Sequence, residues 1–171
     1  MNRQHTCALL SLPPSRLPLA RDEAAPAATR LKLRLALEIE AMRAKGVTAF
    51  LCGLAPGPEL WAAELVLDLK RAYPSDALRL IAVIPYAGQA ARFGERDRRR
   101  CRAALLGADE TVVLRPSYAP RCLLQCSRFM VNQSAHMITV YDGEGGDMKH
   151  AVEYAHRSEL DVVVVRTRSS S

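Results

Sequence analysis

The sequence predicts an α/β fold with three layers: a doubly wound, mostly parallel sheet of about six strands with helices on both faces. Three observations predict it. Strand-like and helix-like segments alternate along the whole 171 residues, the pattern that builds βαβ units. The third strand segment, Arg79–Pro85, is near-continuously apolar, as strands covered on both faces are. Two glycine-containing turns join a strand end to a helix start, where open parallel sheets take their ligands.

Thr6–Ser11 (TCALLS) reads as the first strand, ended by Pro13-Pro14. Arg16 to Ala28 mixes Pro, Ala and charge without a clear period and reads as a loop. Thr29–Lys45 is a helix: Leu31, Leu35, Ile39 and Met42 recur at helical spacing, and Gly46 closes it. Val47–Cys52 (VTAFLC) is a strand, Gly53–Pro58 a turn, and Glu59–Tyr73 a helix with Leu60, Ala63 and Leu67 on one stripe, stopped by Pro74. Arg79–Pro85 (RLIAVIP) is the third strand. Asp97–Leu106 is helical and ends at Gly107, Glu110–Leu114 is a strand, and Leu123–Gln133 a helix. Met137–Tyr141 is the fifth strand, Asp142–Gly146 a polar turn, Asp147–Arg157 a helix and Asp161–Val165 (DVVVV) the last strand. The expectation is one domain over residues 1–171, with a frayed tail from 166 onward.

Composition narrows the function classes. Apolar residues make up 49% of the chain and charged residues 25%, as in ordinary globular proteins, but aromatic residues only 5%. That scarcity counts against a single-strand nucleic-acid binder, which stacks bases on exposed aromatic rings. The formal charge of +6 favours anionic ligands in general. Its densest source, Arg92 to Arg102 with Arg96, Arg98, Arg99 and Arg100 between, reads either as a solvated helix face or as a patch for phosphate or nucleic acid. No segment reaches the roughly 20 apolar residues that span a bilayer, and the run Ala8–Leu12 is too short for a signal-peptide core. A cytoplasmic protein is expected. The five cysteines are odd in number and lie mostly in apolar stretches, which suggests reduced, buried thiols. Cys122 and Cys126 would share a helix face, but two ligands fall short of the three or four of a zinc site, so no metal is expected.

The chemistry concentrates in the two glycine turns. Gly53-Leu54-Ala55-Pro56-Gly57-Pro58-Glu59 leads into a helix whose free N–H groups and dipole suit an anion. Glu59 has two readings there, a carboxylate complementing the dipole or an acceptor for a ribose hydroxyl or a base. Asp142-Gly143-Glu144-Gly145-Gly146-Asp147 also leads into a helix, with backbone free to approach a phosphate. Its three acidic side chains would repel one unless they turn away, and Asp147 can serve as the helix N-cap. Neither turn is a GxGxxG loop, and the chain has no Walker pattern.

Gly57-Pro58-Glu59-Leu60-Trp61-Ala62-Ala63-Glu64 resembles the G-V-[DE]-L-W-A-A-E motif of the YpsA-like proteins of the SLOG superfamily, named for the Smf/DprA and LOG proteins. Pro85-Tyr86, Ala108-Asp109, Arg128-Phe129-Met130-Val131-Asn132 and Tyr141-Asp142-Gly143-Glu144-Gly145-Gly146 resemble further segments of that family, in order and over nearly the whole chain. The resemblance implies a Rossmann-like fold and binding of a nucleotide-derived ligand, such as a nucleotide or an ADP-ribose-type molecule, in proteins linked to bacterial cell division and stress. It implies a ligand lined by Gly53, Gly57, Glu59, Gly145 and Gly146, with Asp142, Gly143 and Asp147 in the same turn and Arg128 as a bidentate phosphate contact. Ser11, Trp61, Glu64 and Asn132 support it, Trp61 as a packing anchor. A homodimer is expected only by analogy with Rossmann-like relatives.

The departures from the family matter. Leu10-Ser11-Leu12-Pro13-Pro14 stands where the family has T-G-H-R-P, Asp147 where it has Thr, and Asn132 where it has Asp. The related LOG enzymes, which release a base from a nucleoside monophosphate, resemble G-G-x-G-T-x-x-E at the second turn; their catalytic Glu falls here on His150. The expectation is a sensor that binds a nucleotide-derived small molecule without catalysis, with no catalytic residue and no cofactor assigned. A phosphoribohydrolase-like enzyme using Glu59 or His150, and a DprA-like DNA-associated module, are the alternatives.

Overall fold

A computed structural model describes residues 2–17 and 21–167. Along these the chain runs β1 (Thr6–Ser11), α1 (Pro26–Ala44), β2 (Ala49–Cys52), α2 (Pro58–Ala72), β3 (Arg79–Ile84), α3 (Glu95–Gly107), β4 (Glu110–Val113), α4 (Cys122–Asn132), β5 (His136–Tyr141), α5 (Asp147–Arg157) and β6 (Asp161–Arg166). The six strands form one all-parallel sheet in the order β4-β3-β2-β1-β5-β6.

That order sets the site. From β1 the chain steps outward to β4, then returns through α4 to lay β5 on the other side of β1. The direction of travel therefore reverses between β1 and β5, and the connections leave these two strands toward opposite faces, opening a crevice beyond their carboxyl ends. Helices α1, α2 and α3 pack in succession on one face, while α4 and α5 pack on each other on the second. The result is a three-layer, Rossmann-like fold.

The expected elements are all present, with shifted ends. Helix α1 starts at Pro26 rather than Thr29, because proline suits the first helical position. Ala28, read as loop, is fully buried there. Gly46 takes φ +97° and ends the helix, as its position suggests. Strand β2 begins at Ala49; Lys45 and Gly46 form the turn out of α1, closed by the Val47 N–H on the Met42 carbonyl. β6 keeps its pairing with β5 through Arg166, where a frayed tail was expected; residues 168–171 lie outside the described residues.

The core is aliphatic around two large rings, Phe50 and Trp61. Trp61 is 2% exposed. Lys32 Nζ stands 4.9 Å from its ring centroid, and Glu23 and Arg100 close over the same region. All five cysteines are free and buried, and burial pushes the thiols of Cys7, Cys52, Cys101 and Cys126 up, toward the protonated form. No described helix is long and apolar enough to cross a membrane.

Candidate functional site

A cavity of about 310 Å³ opens at the carboxyl ends of β1, β2 and β3, next to the start of α5. Both glycine turns reach it. Gly53, Ala55 and Glu59 come from the first, Gly146 and Asp147 from the second, and Leu10, Ser11 and Leu12 from the end of β1. Helix α4 closes the side with Leu123, Cys126, Ser127 and Met130.

The first turn is held by specific contacts. Gln89, 6% exposed, donates from Nε2 to the Gly53 carbonyl at 2.8 Å. Gly57 takes φ +90° and caps α2, which places Pro58 first and Glu59 second in the helix. Leu54 takes φ +61° with its side chain fully buried, a backbone strain of about 1–2 kcal/mol for a leucine. Glu59 then folds back over the turn. A Cβ on residue 53 would lie 2.7 Å from Glu59 Oε1, so glycine is needed there for close approach rather than for its backbone angles. Burial raises the Glu59 carboxyl to about pH 7, although hydrogen bonds from the Gly53 and Ala55 backbone pull the other way. Glu59 as a whole is only half-buried and lines the cavity.

The second turn is held by a residue that the sequence reading missed. Arg16 donates from Nη1 to the Gly145 carbonyl at 2.6 Å and from Nη2 to the Asp142 carboxylate at 3.1 and 3.3 Å. Glu144 lies 3.9 Å from the same nitrogen. Gly146 takes φ +115°, and a side chain there would meet Arg16 Nη1 at 2.9 Å. Two of the acidic side chains thus do turn away from the cavity, toward Arg16. Asp142 Oδ1 also accepts from the Glu144 backbone N–H at 2.9 Å. Gly146, not Asp147, is the N-cap of α5; Asp147 is its first residue and stands on the cavity wall.

The other candidates fall elsewhere. Gly143 and Gly145 are exposed, with open space where a side chain would go. Ser11 lines the cavity, but its hydroxyl donates to the Leu12 carbonyl at 2.9 Å. Arg128 and Asn132 do not reach the cavity. They lie on the outer side of α4 against α5, where Tyr154 donates to Asn132 Oδ1 at 2.5 Å and the Arg128 guanidinium stands 5.5 Å from the Tyr154 ring centroid. The phase of α4 explains this: Cys122, Cys126 and Met130 recur at helical spacing and face inward, which turns residues 128 and 132 out. His150 is exposed and outside the cavity wall. Glu64 bonds Arg100 at 2.5 Å behind Trp61.

Arg96, Arg99 and Arg100 are engaged in ion pairs with Glu23, Glu95 and Glu64. Arg92 lies 5.0 Å from the Tyr118 ring centroid. Among the described residues no cluster of His, Cys, Asp and Glu is arranged to hold a metal ion.

The family model for YpsA, described as the YspA SLOG family, matches residues 17–167. The chain belongs to this family. The matched range begins after β1 and Arg16, the stretch in which the sequence departs from the family motif. This SLOG chain is 30% identical over 133 residues to a UPF0398 protein of Bacillus pumilus, covering 76% of this chain and 70% of that protein. It is 28% identical over 134 residues to a UPF0398 protein of Halalkalibacterium halodurans, covering 77% of this chain and 70% of the relative. Among solved structures it is similar to DNA processing protein A (DprA) from Streptococcus pneumoniae, with a TM-score of 0.56 and 14% identity. That likeness covers 94% of this chain and 50% of the DprA chain, and it concerns the fold alone.

Proposed function

We propose that this SLOG protein binds a small nucleotide-derived molecule in the cavity beyond β1, β2 and β3, as a sensor rather than a catalyst. One observation carries the reading: two turns about ninety residues apart in sequence, each picked out by its glycines, converge on a single cavity at the switch point of the sheet. Gly53 lets Glu59 lean over one end, and Gly146 lets Arg16 lie across the other. His150, at the position of the related enzymes' catalytic glutamate, is outside the cavity. A cytoplasmic location suits five free, buried thiols.

A second reading rests on Glu59. A carboxyl raised to about 7 inside a cavity is matched to general acid–base work near neutral pH. Release of free base from AMP, lost in Glu59→Gln, would establish an N-glycosidic hydrolase; no release would leave the binding protein.

The binding reading is tested by thermal shift with adenosine, guanosine, AMP, ATP, ADP-ribose, NAD and cyclic nucleotides. A bound compound raises Tm with dose. Ser127→Trp, placed on α4 to fill the cavity, should abolish that rise while leaving the unliganded Tm within a few degrees. No rise with any compound would overturn the reading.

A further inference from the structure

We propose that the cavity is built for the uncharged part of a nucleotide-derived ligand, a nucleoside or its free base, and selects against the phosphorylated form. This rests on the reading that the cavity is the ligand site.

The charge on the wall points that way. Arg16 is the one cation lining the cavity among the described residues, and its guanidinium is already shared between the Gly145 carbonyl and the Asp142 carboxylate. Two carboxyl groups, Glu59 and Asp147, line the same space without an ion-pair partner among the described residues. The start of α5 would ordinarily suit a phosphate. Here Asp147 brings its own negative charge to that first turn, and Asp142 and Glu144 in the preceding turn outnumber Arg16. A phosphate at this end would meet a surplus of negative charge, with Asp147 and Glu144 exposed beside it and within a Debye length of about 8–10 Å.

The rest of the wall suits a flat, weakly polar body. Leu10, Leu12, Pro85, Leu123, Met130 and Met148 supply most of it, and the thioethers adapt to a ring. The volume is at the low end for ligand pockets, nearer one nucleoside than a dinucleotide. Glu59 lines this apolar space at the first turn. When protonated, a carboxyl offers one donor beside one acceptor; when ionised, two acceptors. Both patterns match the hydrogen-bonding edge of a heterocyclic base, and burial leaves both forms accessible near neutral pH.

The test is titration calorimetry of the full chain at pH 7 and moderate salt with the four common nucleosides and their 5′-monophosphates. The expected result is that at least one nucleoside binds about tenfold or more tightly than its monophosphate. Asp147→Asn, an exposed change at the start of α5, should narrow that ratio by strengthening monophosphate binding more than nucleoside binding. A monophosphate that binds as tightly as its nucleoside, or tighter, overturns the inference and leaves the cavity reading standing. A ratio unmoved by Asp147→Asn overturns the charge argument. No binding of either set overturns the cavity reading and the inference together.

Discussion

Arg16 and Gly145 stand 129 positions apart in the chain, yet the Arg16 guanidinium donates to the Gly145 carbonyl at 2.6 Å. The same side chain holds the Asp142 carboxylate at 3.1 Å, tying the segment after β1 to the turn after β5. The Asp142 side chain is 15% exposed. Arg16→Met should therefore leave a half-buried carboxylate without its cation, at a cost of about 1–3 kcal/mol. Denaturant unfolding measures this. Faster amide exchange confined to residues 142–147 would locate the loss in the turn. An unchanged midpoint would mean that water replaces the guanidinium at no cost.

Gly53→Ala tests the contact under Glu59. The added Cβ would sit 2.7 Å from Glu59 Oε1, so the carboxyl must move off the turn. A stability loss of about 1–2 kcal/mol is expected, in the range of modest overpacking. Binding of any ligand found should weaken with it. Gly88→Ala provides the contrast. A side chain there meets open space, so its cost is that of φ +82° alone and binding is untouched.

Glu59 also makes stability depend on pH, with a definite sign. Its carboxyl is raised from 4.5 to about 7 in the folded chain. Between those values the folded state holds a proton that the unfolded state has lost, so stability falls as pH rises through this window. Relative to Glu59→Gln, the protein should lose about 2 kcal/mol between pH 4.5 and pH 7.5, less than a fully enclosed group would lose because one flank faces the cavity. Unfolding curves of both proteins across that range check it. A constant difference would mean that the carboxyl titrates normally.

The opposite sign is expected behind Trp61. Burial works against the charge of Glu23, but hydrogen bonds from Arg100 and Lys32 outweigh it and hold the carboxyl at about 2. The indole N–H of Trp61, without a partner at hydrogen-bond geometry among the described residues, adds a smaller pull. The stabilisation is full above pH 4.5 and is lost as pH falls toward 2. Arg100→Met should cost about 1–2 kcal/mol at pH 7 and much less at pH 3, whereas Arg99→Ala, whose Glu95 partner is exposed, should change stability by less than about 0.5 kcal/mol.

The layout of the fold was legible because its punctuation is local. Gly46, Pro74 and Gly107 close three helices, and the bounds of α5, Asp147–Arg157, are the expected ones. The glycine turns were legible for the same reason, and Gly53, Glu59, Gly146 and Asp147 do meet at one cavity. Arg16 was not legible. It lies in a stretch without a period, and the residues it joins are brought near only by the placing of β5 beside β1. Arg128 and Asn132 carried a motif, but motif membership does not tell which way a helix faces. The inward phase of Cys122, Cys126 and Met130 does, and it would have pointed to Ser127 and Met130 as wall residues instead.

The most direct measurement is a methyl NMR titration with labelled methionine, using adenosine and guanosine. Met130 and Met148 line the cavity, while Met42 and Met137 are buried in the core away from its wall. If the cavity takes a nucleoside, the Met130 and Met148 methyl resonances shift with saturation and those of Met42 and Met137 hold still. Shifts at Met42 or Met137 alone, or none with either nucleoside, would contradict the account.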